Sequence, residues 1–129
     1  MWYTLRNLST NSDRTITAEA QVPADCVWFD GHFPHKPILP GVAQLTLVAD
    51  ILHRALGQPV AVEQVSRVRF KQMIQPDEVI TISLSPTNTD AAAYGFRLAN
   101  GAELICSGTL KMAEPSRNDA RAHDLKSKG

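Results

Sequence analysis

Gly31-His32-Phe33-Pro34-His35-Lys36-Pro37-Ile38-Leu39-Pro40-Gly41, followed by the apolar run over 42–56, decides the fold of this chain. The first half excludes helix. Pro34, Pro37 and Pro40 each fix φ, remove an amide donor and push the preceding residue into extended geometry. The second half predicts a helix over 40–56. Pro40 suits the first turn, Gly57 follows as a C-cap, and Pro59 lies just beyond. A rigid loop carrying His32 therefore runs straight into a helix N-terminus. That pattern puts a titratable base beside unpaired backbone N–H groups, which suits polarisation of a carbonyl.

The helix itself sets the architecture. Val42, Ala43, Leu45, Leu47, Val48, Ala49, Ile51, Leu52 and Leu56 occupy most of its circumference. Burial on nearly every side is expected, and in so small a domain only a sheet curled around the helix can cover it. The strands are legible on both sides. Residues 2–8 read as a first strand or a lead-in. Residues 15–22 alternate, with Ile16, Ala18, Ala20 and Val22 on one face. Cys26-Val27-Trp28-Phe29 is a short apolar segment leading to the His32 loop. After the helix, residues 63–71 alternate, with Arg67, Arg69 and Lys71 opposite Val68 and Phe70. Residues 79–84 form a strand, and 91–99 and 102–112 form a hairpin closed by Asn100-Gly101. The class is α+β: an antiparallel sheet wrapped around one long central helix.

Length and composition bound the rest. With 129 residues, 43% of them apolar, the chain supports one core and one domain. Residues 1–113 form that domain. The polar stretch 114–129 is expected to be a disordered tail without a function of its own. A net charge of +0 argues against a general nucleic-acid or membrane-surface binder. No apolar stretch is long enough to span a bilayer, and the N-terminus lacks the pattern of a signal peptide, so the cytoplasm is the expected location. Cys26 and Cys106 read as reduced core residues. No zinc site, P-loop or dinucleotide fingerprint is present.

These residues resemble a known family. Gly31-His32-Phe33-Pro34, Pro37 and Pro40-Gly41-Val42 are similar to the signature of the FabA/FabZ-type 3-hydroxyacyl-[acyl carrier protein] dehydratases, which have the hotdog fold. The likeness continues through Val65-Ser66-Arg67-Val68-Arg69-Phe70-Lys71, Pro76, Asp77, Tyr94-Gly95-Phe96 and the Asn100-Gly101 turn, covering residues 20–112. Val42-Ala43-Gln44-Leu45 looks most like the dehydratase-like subgroup of aryl polyene clusters.

The resemblance implies dehydration of carrier-bound 3-hydroxyacyl thioesters to trans-2-enoyl thioesters. His32 matches the base that removes the α-proton. Gly41 matches the amide that binds the thioester carbonyl, with Phe33 and Pro40 beside the substrate. No cofactor or metal is implied. The implied partners are an acyl carrier protein with its phosphopantetheine-linked chain and a second hotdog subunit, in a homodimer, a higher oligomer or a heterodimer.

The family has Asp or Glu five residues after the glycine, and this chain has Thr46. A hydroxyl does not supply a proton near neutral pH as a carboxyl does. Asp50, one turn further along, is a candidate relocated acid, alone or through a water on Thr46. Its competing reading is an i,i+4 ion pair with Arg54. Arg67, Arg69 and Lys71 are either a solvated strand face or a dock for an acidic carrier protein and its phosphate. His35, His53 and His123 have no metal-ligand partner at useful spacing. Two further functions stay open: a catalytically degenerate subunit that supports a heterodimeric dehydratase, and, behind it, an acyl thioesterase.

Overall fold

The computed structural model describes residues 2–29 and 38–113 of the chain. Asp30, Gly31, His32, Phe33, His35 and the 114–129 tail with His123 lie outside the described residues. The elements are β1 (Thr4–Thr10), β2 (Ile16–Gln21), a single 3₁₀ turn (Val27–Phe29), α1 (Gly41–Leu56), β3 (Val62–Phe70), β4 (Ile80–Pro86), β5 (Ala93–Asn100) and β6 (Glu103–Met112). All six strands join one antiparallel sheet in the order β1-β2-β4-β5-β6-β3. One helix against one such sheet is the hotdog arrangement expected from the sequence. The alternative left open for residues 2–8 resolves to a strand, β1, which pairs with β2 along the sheet edge.

Strand patterning follows the pleat. Ile16, Ala18 and Ala20 of β2, Ile80, Ile82 and Leu84 of β4, and Tyr94, Phe96 and Leu98 of β5 are buried on one face. They meet Ala43, Leu47, Val48, Ile51 and Leu52 of α1 in a single core. Cys26 and Cys106 are buried free thiols, and burial pushes the Cys106 thiol up to about 11.

Sequence order does not give the pairing. β3 follows the helix directly, yet it pairs with β6 at the far edge, and β4 pairs with β2 in the centre. β3 also departs from simple alternation. The register shifts between Ser66 and Arg69, and Arg67 takes φ 56 within that bulge. The extra residue lets Val65 and Val68 both pack on the core while Arg67 and Arg69 face outward.

The helix is less enclosed than its composition predicts. Val42 is 61% exposed, and Thr46, His53 and Arg54 are exposed too. A single curved sheet covers the stripe 43, 44, 47, 48, 51, 52 and cannot close around the opposite side. Expectation of burial on nearly every face is therefore corrected to one wide buried stripe and one open one.

Candidate active site at the N-terminus of the central helix

Pro40 caps α1 in extended geometry, with φ −61 and ψ 155 and no side-chain cap. Its carbonyl accepts from the amides of Ala43 (3.0 Å) and Gln44 (3.1 Å). The N–H groups of Gly41 and Val42 have no acceptor among the described residues, as the first turn of a helix dictates. The positive end of the helix dipole adds to their pull on an oxygen.

Two contacts fix where this end lies. Leu39, 2% exposed, donates its amide to the Ile74 carbonyl at 2.9 Å. Gln44, the buried polar residue of the core, donates from Nε2 to the Leu39 carbonyl at 3.4 Å, which ties the entering chain to the first helical turn. The Phe70 ring at the end of β3 closes over Gly41. An added Cβ at position 41 would lie 2.9 Å from its Cζ. Glycine lets the ring approach this closely, and its amide stays uncovered by a side chain of its own.

Thr46 lies five residues, about 7.5 Å, along the helix axis from Gly41. It is exposed, and its Oγ1 donates to the Val42 carbonyl at 2.8 Å. Its proton is therefore committed to the backbone, and the hydroxyl offers lone pairs outward.

Asp50 follows one turn later in a three-residue network. Tyr3 donates its hydroxyl proton to Asp50 Oδ2. Arg54 Nε donates to the same oxygen at 3.4 Å and to the Tyr3 hydroxyl oxygen at 3.3 Å. Burial, reinforced by the bond to Asp50, pushes the Tyr3 hydroxyl up to about 12. The Asp50–Arg54 pair anticipated from the i,i+4 spacing is thus present. Tyr3 is the residue that sequence reasoning missed. It lies 47 positions away in a segment whose only legible signal was apolar content.

Among the docking candidates, Arg69 pairs in register with Ser107, and Arg67 occupies the bulge. Lys71 lies one residue past β3, its amide donating to the Ile105 carbonyl at 2.8 Å. All three side chains are exposed. The structure thus brings together Pro40, Gly41, Thr46 and Asp50 on successive turns of one helix, with β3 beside its first turn.

Among the described residues no group of His, Cys, Asp and Glu could hold a metal ion. No helix there is long and apolar enough to cross a membrane.

Comparison with known proteins agrees with this geometry. A family model described as ApeI-like, ApeI dehydratase, matches residues 8–109. A 3-hydroxyacyl-[acyl-carrier-protein] dehydratase FabZ of Natranaerobius thermophilus is 33% identical over 101 residues, covering 71% of this chain and 71% of that protein. A FabZ of Variovorax paradoxus is 28% identical over 120 residues, covering 84% of this chain and 80% of the relative. The dehydratase heterocomplex ApeI:P of Xenorhabdus doucetiae superposes with a TM-score of 0.77 at 21% identity, over 88% of this chain and 100% of that one. A hypothetical thioesterase with coenzyme A from Streptococcus pneumoniae matches at TM-score 0.60 and 16% identity, a likeness of fold alone. The matched span runs from β1 into β6 and contains the whole helix and its N-terminal turn, so the chain belongs to the ApeI-like family of FabZ-type hotdog dehydratases.

Proposed function

We propose that this protein dehydrates carrier-bound (3R)-3-hydroxyacyl thioesters to trans-2-enoyl thioesters. The observation that carries this reading is the open amide of Gly41 at the N-terminus of α1, in a chain whose family is a dehydratase family. The thioester carbonyl accepts from that amide, and Pro40 and Phe33 are assigned to substrate binding by the family motif. The helix end stabilises negative charge developing on the oxygen and so acidifies the α-carbon. His32 removes the α-proton, the C2–C3 double bond forms as the C3–O bond breaks, and the leaving hydroxyl takes a proton from the acid form of Asp50 and departs as water; the imidazolium then returns its proton to Asp50 through solvent. Thr46 accepts from that hydroxyl or from a water. Asp50 completes the relay through Oδ1, because Oδ2 already accepts from Tyr3 and Arg54. The carrier protein presents the substrate against Arg67, Arg69 and Lys71, and the reaction takes place in the cytoplasm.

A second hotdog subunit belongs to this reading. Val42, Phe70 and Met73 are large apolar side chains exposed by 61%, 50% and 51% around the helix N-terminus, and β3 is an unpaired sheet edge beside them. In a homodimer both sites use Thr46 and Asp50. The alternative, a heterodimer whose other subunit carries the carboxylate, is favoured by one observation. The Thr46 proton is bonded to its own helix backbone, so that position supplies no acid.

Mass spectrometry of a 3-hydroxyacyl carrier protein incubated with the purified chain tests the reaction. Loss of one water supports the dehydratase, release of free acid supports a thioesterase, and an unchanged carrier supports a degenerate subunit. Native mass spectrometry then separates a homodimer from a mixed pair.

A further inference from the structure

The face of the sheet that points away from the helix carries a second feature, unrelated to the helix N-terminus. It is a groove of about 360 Å³ lined by Arg67, Arg97, Ser83, Ser85, Ser107 and Thr109, with Gly95 at its centre. Register explains how it forms. Ser83, Arg97, Ser107 and Arg69 stand opposite one another across β4, β5, β6 and β3. Ser85, Gly95, Thr109 and Ser66 form the next outward row. Because the intervening residues Leu84, Phe96 and Leu98 are buried against α1, both rows face solvent. The bulge at Arg67 adds a guanidinium beside Ser107 and Thr109.

Two details distinguish this groove from an ordinary solvated face. First, its cations are unopposed. Among the described residues, the side chains of Arg67, Arg69 and Arg97 have no ion-pair or hydrogen-bond partner. Carboxylates elsewhere on the chain are engaged with other partners: Asp90 and Glu63 with Lys111, and Glu19 with Asn7. Second, packing does not require glycine at position 95. A Cβ there would meet only the carbonyl oxygens of Gly108 and Ser85, both at 4.0 Å, and its φ is not left-handed. Glycine inside a strand weakens it, and it commonly marks a place where another group approaches the backbone.

We propose that this groove is an oxyanion site for the phosphate monoester of a small molecule. Arg97 and the Arg67–Arg69 pair stand about two strand spacings apart, roughly 10 Å, flanking a floor of hydroxyls. A tetrahedral phosphate takes donors from both sides at once, whereas the two oxygens of a planar carboxylate use fewer of them. The volume is at the lower end of small-molecule sites, large enough for a phosphate and a short ester. The outward rows hold no aromatic side chain on which a nucleic-acid base could stack. This site lies on the opposite face of the sheet from the proposed dehydration and shares Arg67 and Arg69 with the proposed carrier dock, so its test rests on Arg97 and Gly95, which that dock does not use.

The test is an amide chemical-shift titration of the full chain with glycerol 3-phosphate, inorganic phosphate and chloride at constant ionic strength. Saturable shifts are expected at Ser83, Gly95, Arg97 and Ser107, with glycerol 3-phosphate bound at least tenfold more tightly than inorganic phosphate. Arg97→Gln weakens binding at least tenfold. Gly95→Leu fills the floor and abolishes binding while the rest of the spectrum keeps its folded dispersion. The proposal is overturned by shifts that do not saturate or by an equal response to chloride. It is also overturned by equal affinity for the two phosphates or by an Arg97→Gln variant that binds within twofold of the parent. None of these readouts involves dehydration, so failure here and failure of the dehydratase reading are distinguishable.

Discussion

The Phe70 ring covers Gly41 so closely that a Cβ at position 41 would lie 2.9 Å from its Cζ and 3.2 Å from Cε1 and Cε2. Edge strand and helix N-terminus therefore meet at a residue where any side chain displaces the ring. Phe70 is 50% exposed, which leaves the ring room to turn away.

Gly41→Ala is expected to lower stability by only about 1 kcal/mol, the lower end of overpacking costs, because the opposing group is the free end of a side chain. Dehydration should fall much more, at least tenfold, because the displaced ring and the new methyl crowd the amide that binds the carbonyl. Urea midpoints and kcat/KM measured on the same preparations check this. Phe70→Leu in the Gly41→Ala background should restore the stability.

Tyr3→Phe removes the bond that ties the first residues of the chain to the central helix. A hydrogen bond to a carboxylate contributes on the order of 1.5–3 kcal/mol, and the loss should appear as a lower urea midpoint with an unchanged m value. Substrate turnover should fall less than in Gly41→Ala, since Arg54 still holds Asp50.

The same residue predicts a pH dependence. Burial, and next the bond to Asp50, raise the Tyr3 hydroxyl from 10.0 to about 12, so the folded chain holds that proton more tightly than the unfolded one. The associated stability is present in full below pH 10 and is lost as pH rises from about 10 toward 12. Urea midpoints across that window should decline more steeply for the parent than for Tyr3→Phe.

Restoring a carboxylate on the helix tests the departure at Thr46. Thr46→Glu should raise the dehydration rate of the isolated chain by at least tenfold, toward the 10²–10⁴ that a general acid typically contributes. Asp50→Asn should lower the parent's rate about tenfold and leave Thr46→Glu nearly unaffected. An Asp50→Asn enzyme as fast as the parent would rule out the relay through Asp50 and favour the mixed dimer.

Charge reversal at Arg69 separates carrier docking from chemistry. Arg69→Glu should raise KM for carrier-bound substrate several-fold and leave a short N-acetylcysteamine thioester unaffected. Equal effects on the two substrates would remove Arg69 from the docking surface. The exposed, unpaired position of Arg69 in β3 makes a folding defect a poor explanation for either result.

Much of this protein is determined locally. Prolines and glycine set where α1 begins and ends, because their backbone restrictions act without any tertiary contact. The alternation of residues 15–22 and the Asn100-Gly101 turn likewise specify a half-buried strand and a hairpin from neighbouring residues alone. The motif around Pro40-Gly41 was legible for the same reason, and with it the family.

What only the tertiary structure decided depends on groups far apart in the chain. β3 pairs with β6 rather than with β4, since pairing across a sheet is settled by how the faces bury and not by chain order. The open stripe of α1 exists because one sheet can cover only one side of a helix. Tyr3 reaches Asp50 across 47 residues, and the Phe70 ring reaches Gly41 from the opposite sheet edge to β1. The central helix thus draws the surroundings of Gly41 and Asp50 from opposite edges of the sheet, and no local pattern encodes which side chains those are.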